Sequence, residues 1–458
     1  MVRLLKIFIL NLNVRGIHGL ERIFPSFLVY HFLRLLNLSF SNQNVIYGFI
    51  FLNTASVGIV VYLWNKIADE LEISFFGRII GYIALFINYC LLKWIGYYPV
   101  LTENVAFCLG GCMLYSYLKN KPSGLLLCLV IGLFTWPSVN SMVLVLLLFP
   151  RQDKENQENI NTNYYHPSGK QFLIIKRIWV SLILFLFLMI LFYPVTPLSP
   201  HILYQPFFPK NSNYTFPLDY FLRYLLMFSW FFYGLSSLLK NLLYLHLMVF
   251  IKKTLRNKAF LLALIIYLPI IYFLRSRGVA TEEKTFQVML NHGITQRFGI
   301  FIVMQVVLLG PIIVFTILRW NYIAQTIAKF GMGLALVFAL TILLTLFGQG
   351  RSLIVSMPFI VAFTVKELDR FSLQWGDVGI FLCLSLWFSK IWMHQGLLKA
   401  IPHDPNLYFY AHVGGYWMDI NFYFFHLGSA LMCAWILWTR FKFRFSELDN
   451  APNLLSEN

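Results

Sequence analysis

The sequence predicts an all-α bundle of membrane-spanning helices, and three observations carry that prediction. Hydrophobic residues make up 59% of the 458 positions and charged residues only 12%, with a mean hydropathy of +0.69. Soluble domains carry about 25% charged residues, so this chain cannot cover itself with a solvated surface. Many of its apolar runs approach the roughly 20 residues that cross a bilayer as a helix. Lys and Arg gather at the ends of those runs, as at Lys176 and Arg177, at Lys252, Lys253, Arg256 and Lys258, and at Arg440, Lys442 and Arg444. The net charge of +17 thus reads as positive-inside topology, which excludes a nucleic-acid partner and makes membrane lipids the surroundings. The 46 Phe, 25 Tyr and 12 Trp suit lipid-facing helices with aromatic belts.

In chain order, "MVRLLKIFILNL" has a basic start, but its apolar run is too short for a signal peptide or a span. It reads as an interfacial helix or the remnant of a first span. Residues 12–42 form an amphipathic segment on the outer face. Spans are expected at 43–64, 75–94, 104–118, 177–196, 219–239, 258–275, 298–319, 324–347, 353–366, 377–393 and 421–438. Segment 123–149 is too long for one span and is broken at "TWPSVN", where Pro137 removes a helical hydrogen bond and disfavours helix at Trp136. It reads as two antiparallel helices joined by a tight turn. The total is about 11 to 13 spans in one integral membrane domain covering residues 1–458 of a cell-membrane protein.

The polar, Asn-rich residues 151–176 form a cytoplasmic loop, and 440–458 form a cytoplasmic tail. Counting spans from these anchors places the other loops on the non-cytoplasmic face. They are 12–42, "YYPVLTEN", "TWPSVN", 193–220, 276–297, "FGQGRS" and 394–419. Residues 275–297 fit poorly, because Arg275, Arg277, Lys284 and Arg297 oppose the positive-inside rule. Either the span count slips there or that loop binds an anion.

The candidate chemistry lies on the same face. Glu103, one of 19 acidic residues, opens an apolar helix where a negative charge suits the dipole, and Thr102 can cap it. With Asn104, Glu103 also offers a site for a metal, a sugar hydroxyl or a protonated group. Arg22, beside Glu21 in "GLERIFPSFL", either snorkels to headgroups or clamps a phosphate. In "FGQGRSLIVSMPFIVAF", glycines and Arg351 at a helix start make an anion site or a plain interhelical turn. Trp136, Ser138 and Asn140 offer an aromatic face with polar edges, suited to a sugar ring and equally to an interfacial turn. Six cysteines lie mostly inside apolar runs and read as small hydrophobes. The pairs Glu282-Glu283 and the histidines His292, His394, His403 and His412 show no metal-ligand spacing, and no phosphate or nucleophile motif stands in its required context.

Taken in order, "ERIFPSFLVYHFL", then "NYCLLKWIGYYPVLTENVAFCLGGCMLYSYLKNKPSGLLLCLVIGLFTWPSVNSMVLVLLLFPR", then "GQGRSLIVSMPFIVAF" resemble the GT-C superfamily of multi-pass glycosyltransferases. The match is clearest over 80–151 and looser over most of the chain. The resemblance implies a GT-C-like core that moves a sugar from a polyprenyl-phosphate-linked donor to a lipid, glycan or protein acceptor. Glu21 and Glu103 would then be the catalytic carboxylates. Arg22 and Arg351 would bind the donor phosphate, and Asn104, Trp136 and Asn140 the sugar or acceptor. A divalent metal is compatible with such a site, with no ligands specified. Such enzymes carry an acid in the first outer loop after a first span. Here only Glu21 stands there and that span is barely present, so the chain reads as a divergent and N-terminally short member. The turn also reads "TWPS" where relatives place an arginine. The alternatives are a lipid-linked glycan transporter or flippase, and an O-antigen-polymerase-like enzyme, against which the moderate, arginine-poor loops 193–220 and 394–419 count.

Overall fold

Proline, glycine and asparagine interrupt most of the apolar runs, and the chain breaks at them. The computed structural model describes residues 22–94, 102–151, 226–238 except 228, 257–277, 299–346, 353–391 and 420–450. Among these residues every regular element is helical and no strand occurs. The predicted all-α class holds. The expected 11 to 13 spans do not follow from the helix lengths. Of the described helices, Asn42–Glu70 alone is long and apolar enough to cross a bilayer.

The reason lies in the breaks. Helix α1 (Ile23–Leu35) and α2 (Asn42–Glu70) form a hairpin, with Val29, Leu33 and Phe49 packed between them. The Ser41 hydroxyl accepts from the Asn44 N–H and caps α2. Helix α3 (Phe75–Phe86) stops where the run contains Asn88. That buried amide donates to the carbonyls of Ala84 and Leu85 and accepts from the N–H of Leu91. One side chain thus ends α3 and starts a π-helical segment, Cys90–Trp94, where sequence continuity predicts a single span over 75–94. Helix α4 (Glu103–Leu118) follows. The expected pair of antiparallel helices over 123–149 is present as α5 (Pro122–Gly132) and α6 (Pro137–Leu148), each with proline in its first turn.

Later in the chain come a helical stretch at 229–238 and α7 (Lys258–Arg277). The expected span 298–319 is instead two helices, α8 (Ile300–Leu309) and α9 (Pro311–Leu318). Gly310 divides them at φ 77° and ψ −155°, a backbone state that glycine tolerates, and Pro311 cannot extend the preceding hydrogen-bond ladder. Likewise 324–347 is divided into α10 (Trp320–Lys329) and α11 (Met332–Thr345), with Gly331 at φ 114° between them. Helices α12 (Met357–Leu368), α13 (Trp375–Ser389) and α14 (Ile420–Asn450) complete the set. Helix α14 runs on through the first part of the expected tail.

One hydrophobic cluster links α2 through α14. Phe315, Phe371, Phe381 and Phe441 meet at ring-centroid distances of 5.6–6.4 Å and tie α9, α13 and α14 together. Gly110 lets α4 approach the Val355 backbone, because a Cβ there would stand 2.1 Å from the Val355 carbonyl oxygen.

The helix ends sort by charge. At one end, Glu70 pairs with Lys119 and Arg78 with Asp69. Asp369 accepts from the Ser74 N–H and hydroxyl. Glu367 is held by Arg319 and Arg370, each at 3.1 Å. Asp377 is held by Arg440 at 2.8 Å and Arg444 at 3.0 Å, and also caps α13 through the Gln374 N–H. The hydrogen bond to Glu70 holds the Lys119 ammonium above its ordinary value. These ion pairs all lie at this one end of the bundle.

Candidate functional site

From the charged end, α3, α4, α5, α6 and α13 have 12, 16, 11, 12 and 15 residues. At about 1.5 Å per residue, their far tips lie roughly 17–24 Å away. Those tips carry the buried polar residues. Packing registers set them in one layer. The C-terminal ends of α2 and α4 meet at Glu70 and Lys119, and Gly111 faces Val60 and Leu63, so the parallel pair puts Asn53 level with Glu103. The α4–α5 hairpin sets Gly124 against Ser116, which brings Trp136 and Pro137 to the level of Glu103. At the start of α1, the Phe24 N–H donates to the Phe134 carbonyl at 2.9 Å, so Arg22 joins the same layer.

Glu103 is the first residue of α4 and is 2% exposed. The positive end of the helix dipole favours a carboxylate there. The expected hydroxyl cap is not formed. Thr102 has helical dihedrals (φ −88°, ψ −2°) rather than the extended backbone of a capping residue. Its buried hydroxyl makes no hydrogen bond among the described residues. Asn104 and Asn53 are also buried. Cys90, following Asn88 in the broken segment, is buried as well.

The Arg22 guanidinium stacks over the Trp136 ring at 4.7 Å. Trp136 is 6% exposed, so in this arrangement it holds Arg22 and presents little open face to a sugar. Asn140 is buried, and its amide oxygen and the Ser138 hydroxyl make no hydrogen bond among the described residues. Glu21 and Arg351 lie outside the described residues, as do Glu282, Glu283, His292, His394, His403 and His412. The structure thus brings Arg22, Glu103, Asn104, Trp136 and Asn140 to one end of the bundle. It does not address the other two assignments.

The sequence reading missed a basic pair at this same end. Lys390 caps the C-terminus of α13 in the left-handed conformation (φ 53°, ψ 25°). Its Nζ lies 2.9 Å from Nε2 of His426 on α14 and 5.1 Å from the centre of the Tyr89 ring. Lysine and histidine are 3% and 2% exposed. In the sequence Lys390 looks like an ordinary basic flank and His426 like an isolated histidine in an apolar run. No signal of spacing joins residues from two helices.

All six cysteines are free, and most are buried as expected. No group of three or more His, Cys, Asp or Glu among the described residues is arranged to hold a metal. A separate cavity of about 70 Å³ lies between α8, α9, α11 and the 229–238 stretch, lined by Trp230, Gln305, Phe338 and Thr345 among others. Gln305 is buried there, and its amide makes no hydrogen bond among the described residues.

The polar layer therefore combines a buried carboxylate at a helix N-terminus, a stacked guanidinium and a lysine–histidine pair, opposite the end that holds the ion pairs. No protein-family model matches the sequence, and comparison with curated proteins and with solved structures gives no significant match.

Proposed function

We propose that the protein is a membrane glycosyltransferase of the GT-C type, moving a sugar from a polyprenyl-phosphate-linked donor to an acceptor hydroxyl on the non-cytoplasmic face. The observation that carries this reading is Glu103, buried at the tip of a short helix and level with Arg22 and Trp136. Large apolar side chains stay exposed along α2, α7 and α14, among them Phe51, Tyr62, Ile265, Tyr272, Leu431 and Trp435. Such continuous apolar exposure suits contact with lipid.

In the proposed step, Glu103 takes the proton from the acceptor hydroxyl as that oxygen attacks the anomeric carbon. The bond from that carbon to the phosphate oxygen breaks, and the leaving phosphate keeps the electron pair. A nearby cation is needed as charge develops on that oxygen. Arg22 and Arg351 are the proposed partners. Asn104 and Asn140 are proposed to orient sugar or acceptor hydroxyls.

A flippase or transporter for a lipid-linked glycan is the second reading. The helix breaks at Asn88 and Gly310 favour it, since transporters build their sites from interrupted helices. Purified protein in liposomes, given a radiolabelled polyprenyl-phosphate sugar, separates the two. Release of free polyprenyl phosphate, lost in Arg351→Ala, supports transfer. Movement of intact donor between leaflets with no release refutes transfer and supports the second reading.

A further inference from the structure

The cavity between α8, α9, α11 and the 229–238 stretch shares no lining residue with the polar layer, and both sides of the helix break at Gly310 wall it. Ile302 and Gln305 come from α8, and Thr316 comes from α9. Most of the polar side chains in that wall are already bonded. The Trp230 indole donates to the Thr345 hydroxyl at 3.1 Å, and the Trp320 indole to the Gly234 carbonyl at 2.9 Å. The Thr316 hydroxyl meets those of Thr364 and the Ile312 carbonyl, and Thr341 meets Ser356 and the Val337 carbonyl.

Gln305 is the exception. It is 2% exposed, and neither its amide oxygen nor its amide nitrogen has a hydrogen-bond partner among the described residues. An amide offers an acceptor oxygen and a donor nitrogen, and leaving them buried and unbonded is costly. The chain places that cost at the wall of a cavity, where a bound molecule can offset it.

Size and chemistry narrow the occupant. One water needs about 10–15 Å³ of such space, so the cavity's 70 Å³ holds roughly five or six non-hydrogen atoms. Water fits badly, because each molecule needs two or more polar partners and one amide cannot anchor so many. A charged ligand fits worse. Among the described residues no Asp, Glu, Lys, Arg or His stands in the wall, so a phosphate, carboxylate or amine would be buried without a counter-charge.

We propose that this cavity binds a small, uncharged, apolar alcohol whose hydroxyl bonds the Gln305 amide while its carbon body packs on Trp230, Trp320 and Phe338. The hydroxyl donates to the amide oxygen or accepts from the amide nitrogen, and no bond already made in the wall has to open. Apolar walls with a few placed polar groups are the usual build of a small-molecule site. Tyr233 lines the cavity and is exposed, so the wall reaches the surface at the 229–238 stretch, and the ligand enters from that side. The inference rests on this cavity alone and is independent of the sugar transfer proposed above.

Tryptophan fluorescence of the full-length protein in detergent tests this, with trichloroethanol, a small neutral quencher, as the probe. Partition into the micelle gives quenching that rises linearly, whereas a site adds a component that saturates. A saturable component is expected. Trichloroethane, which lacks the hydroxyl, serves as the reference probe. Gln305→Leu should lower the affinity ratio of alcohol to alkane at least ~5-fold, the scale of one net hydrogen bond. Ile302→Phe, which fills the space, should remove the saturable component for both probes. Purely linear quenching of the unsubstituted protein overturns the proposal and leaves the cavity to water. An unchanged ratio in Gln305→Leu overturns it by taking the amide out of the site. If that variant fails to fold, Gln305→Met, closer in shape, reads the same ratio. Saturable quenching unaltered in Ile302→Phe would put the alcohol elsewhere and overturn the proposal as well.

Discussion

The two ends of the bundle handle buried charge in opposite ways. At the charged end, Glu367 and Asp377 are fully buried, and each is held by two arginines from neighbouring helices or turns. Those contacts satisfy both oxygens and fasten α9, α12, α13 and α14 at one level. At the other end, Glu103 sits buried at a helix N-terminus in a layer of buried amides, Arg22 lies over the Trp136 ring, and Lys390 is hydrogen-bonded to His426. The difference teaches where to look for chemistry in a chain with so few carboxylates.

Substitutions that strike one end and spare the other sharpen this contrast. The largest stability effect is expected for Asp377→Ala, which leaves two arginines without their shared carboxylate. Breaking a buried pair costs about 3–5 kcal/mol. Arg440 and Arg444 remain 36% and 24% exposed, which lowers the expected loss to roughly 2–3 kcal/mol. Denaturation of the purified protein in detergent would measure it, and an unchanged midpoint would break the contrast from the charged side.

Gly110→Ala comes next. The added methyl meets the Val355 carbonyl at 2.1 Å, and overpacking of this kind costs about 1–3 kcal/mol. Because Gly110 lies on the helix that begins with Glu103, sugar release should fall even in the folded fraction. Gly379→Ala is the control on α13. Nothing lies within 4 Å of its added methyl, so a gain of about 0.5–1 kcal/mol is expected from helix propensity, with release unchanged.

The smallest effect concerns pH. The Lys119 ammonium is raised by its bond to Glu70, so the pair's contribution is complete below the ordinary lysine value and is lost as pH rises through the raised one. Glu70→Gln should therefore reduce the fall in thermal midpoint on going from neutral to strongly alkaline buffer. An identical fall in both proteins would show that this surface pair contributes nothing.

Part of this layout was legible before any coordinates. Pro137 in "TWPSVN" gave the α5–α6 turn, and counting helix ends placed Arg22, Glu103 and Trp136 together. Hydropathy concealed the breaks, because a run such as "VVLLGPIIV" stays apolar through Gly310 and Pro311 while its backbone turns away from one helix. The single amide of Asn88, which ends one helix and starts the next, is equally silent in a window average. Thr102 had the right chemistry for a cap but the wrong dihedrals. Lys390 and His426 stand 36 residues apart on separate helices, and no periodicity connects such a pair.

The most direct test compares Glu103→Gln with Asp377→Asn in the polyprenyl-phosphate release assay, alongside a melting curve for each protein. The account predicts that Glu103→Gln melts close to the unsubstituted protein and loses release by at least ~100-fold, the scale of general acid–base catalysis. It predicts that Asp377→Asn melts earlier and retains the full rate per folded molecule. Undiminished release from Glu103→Gln would contradict the assignment of chemistry to that end of the bundle.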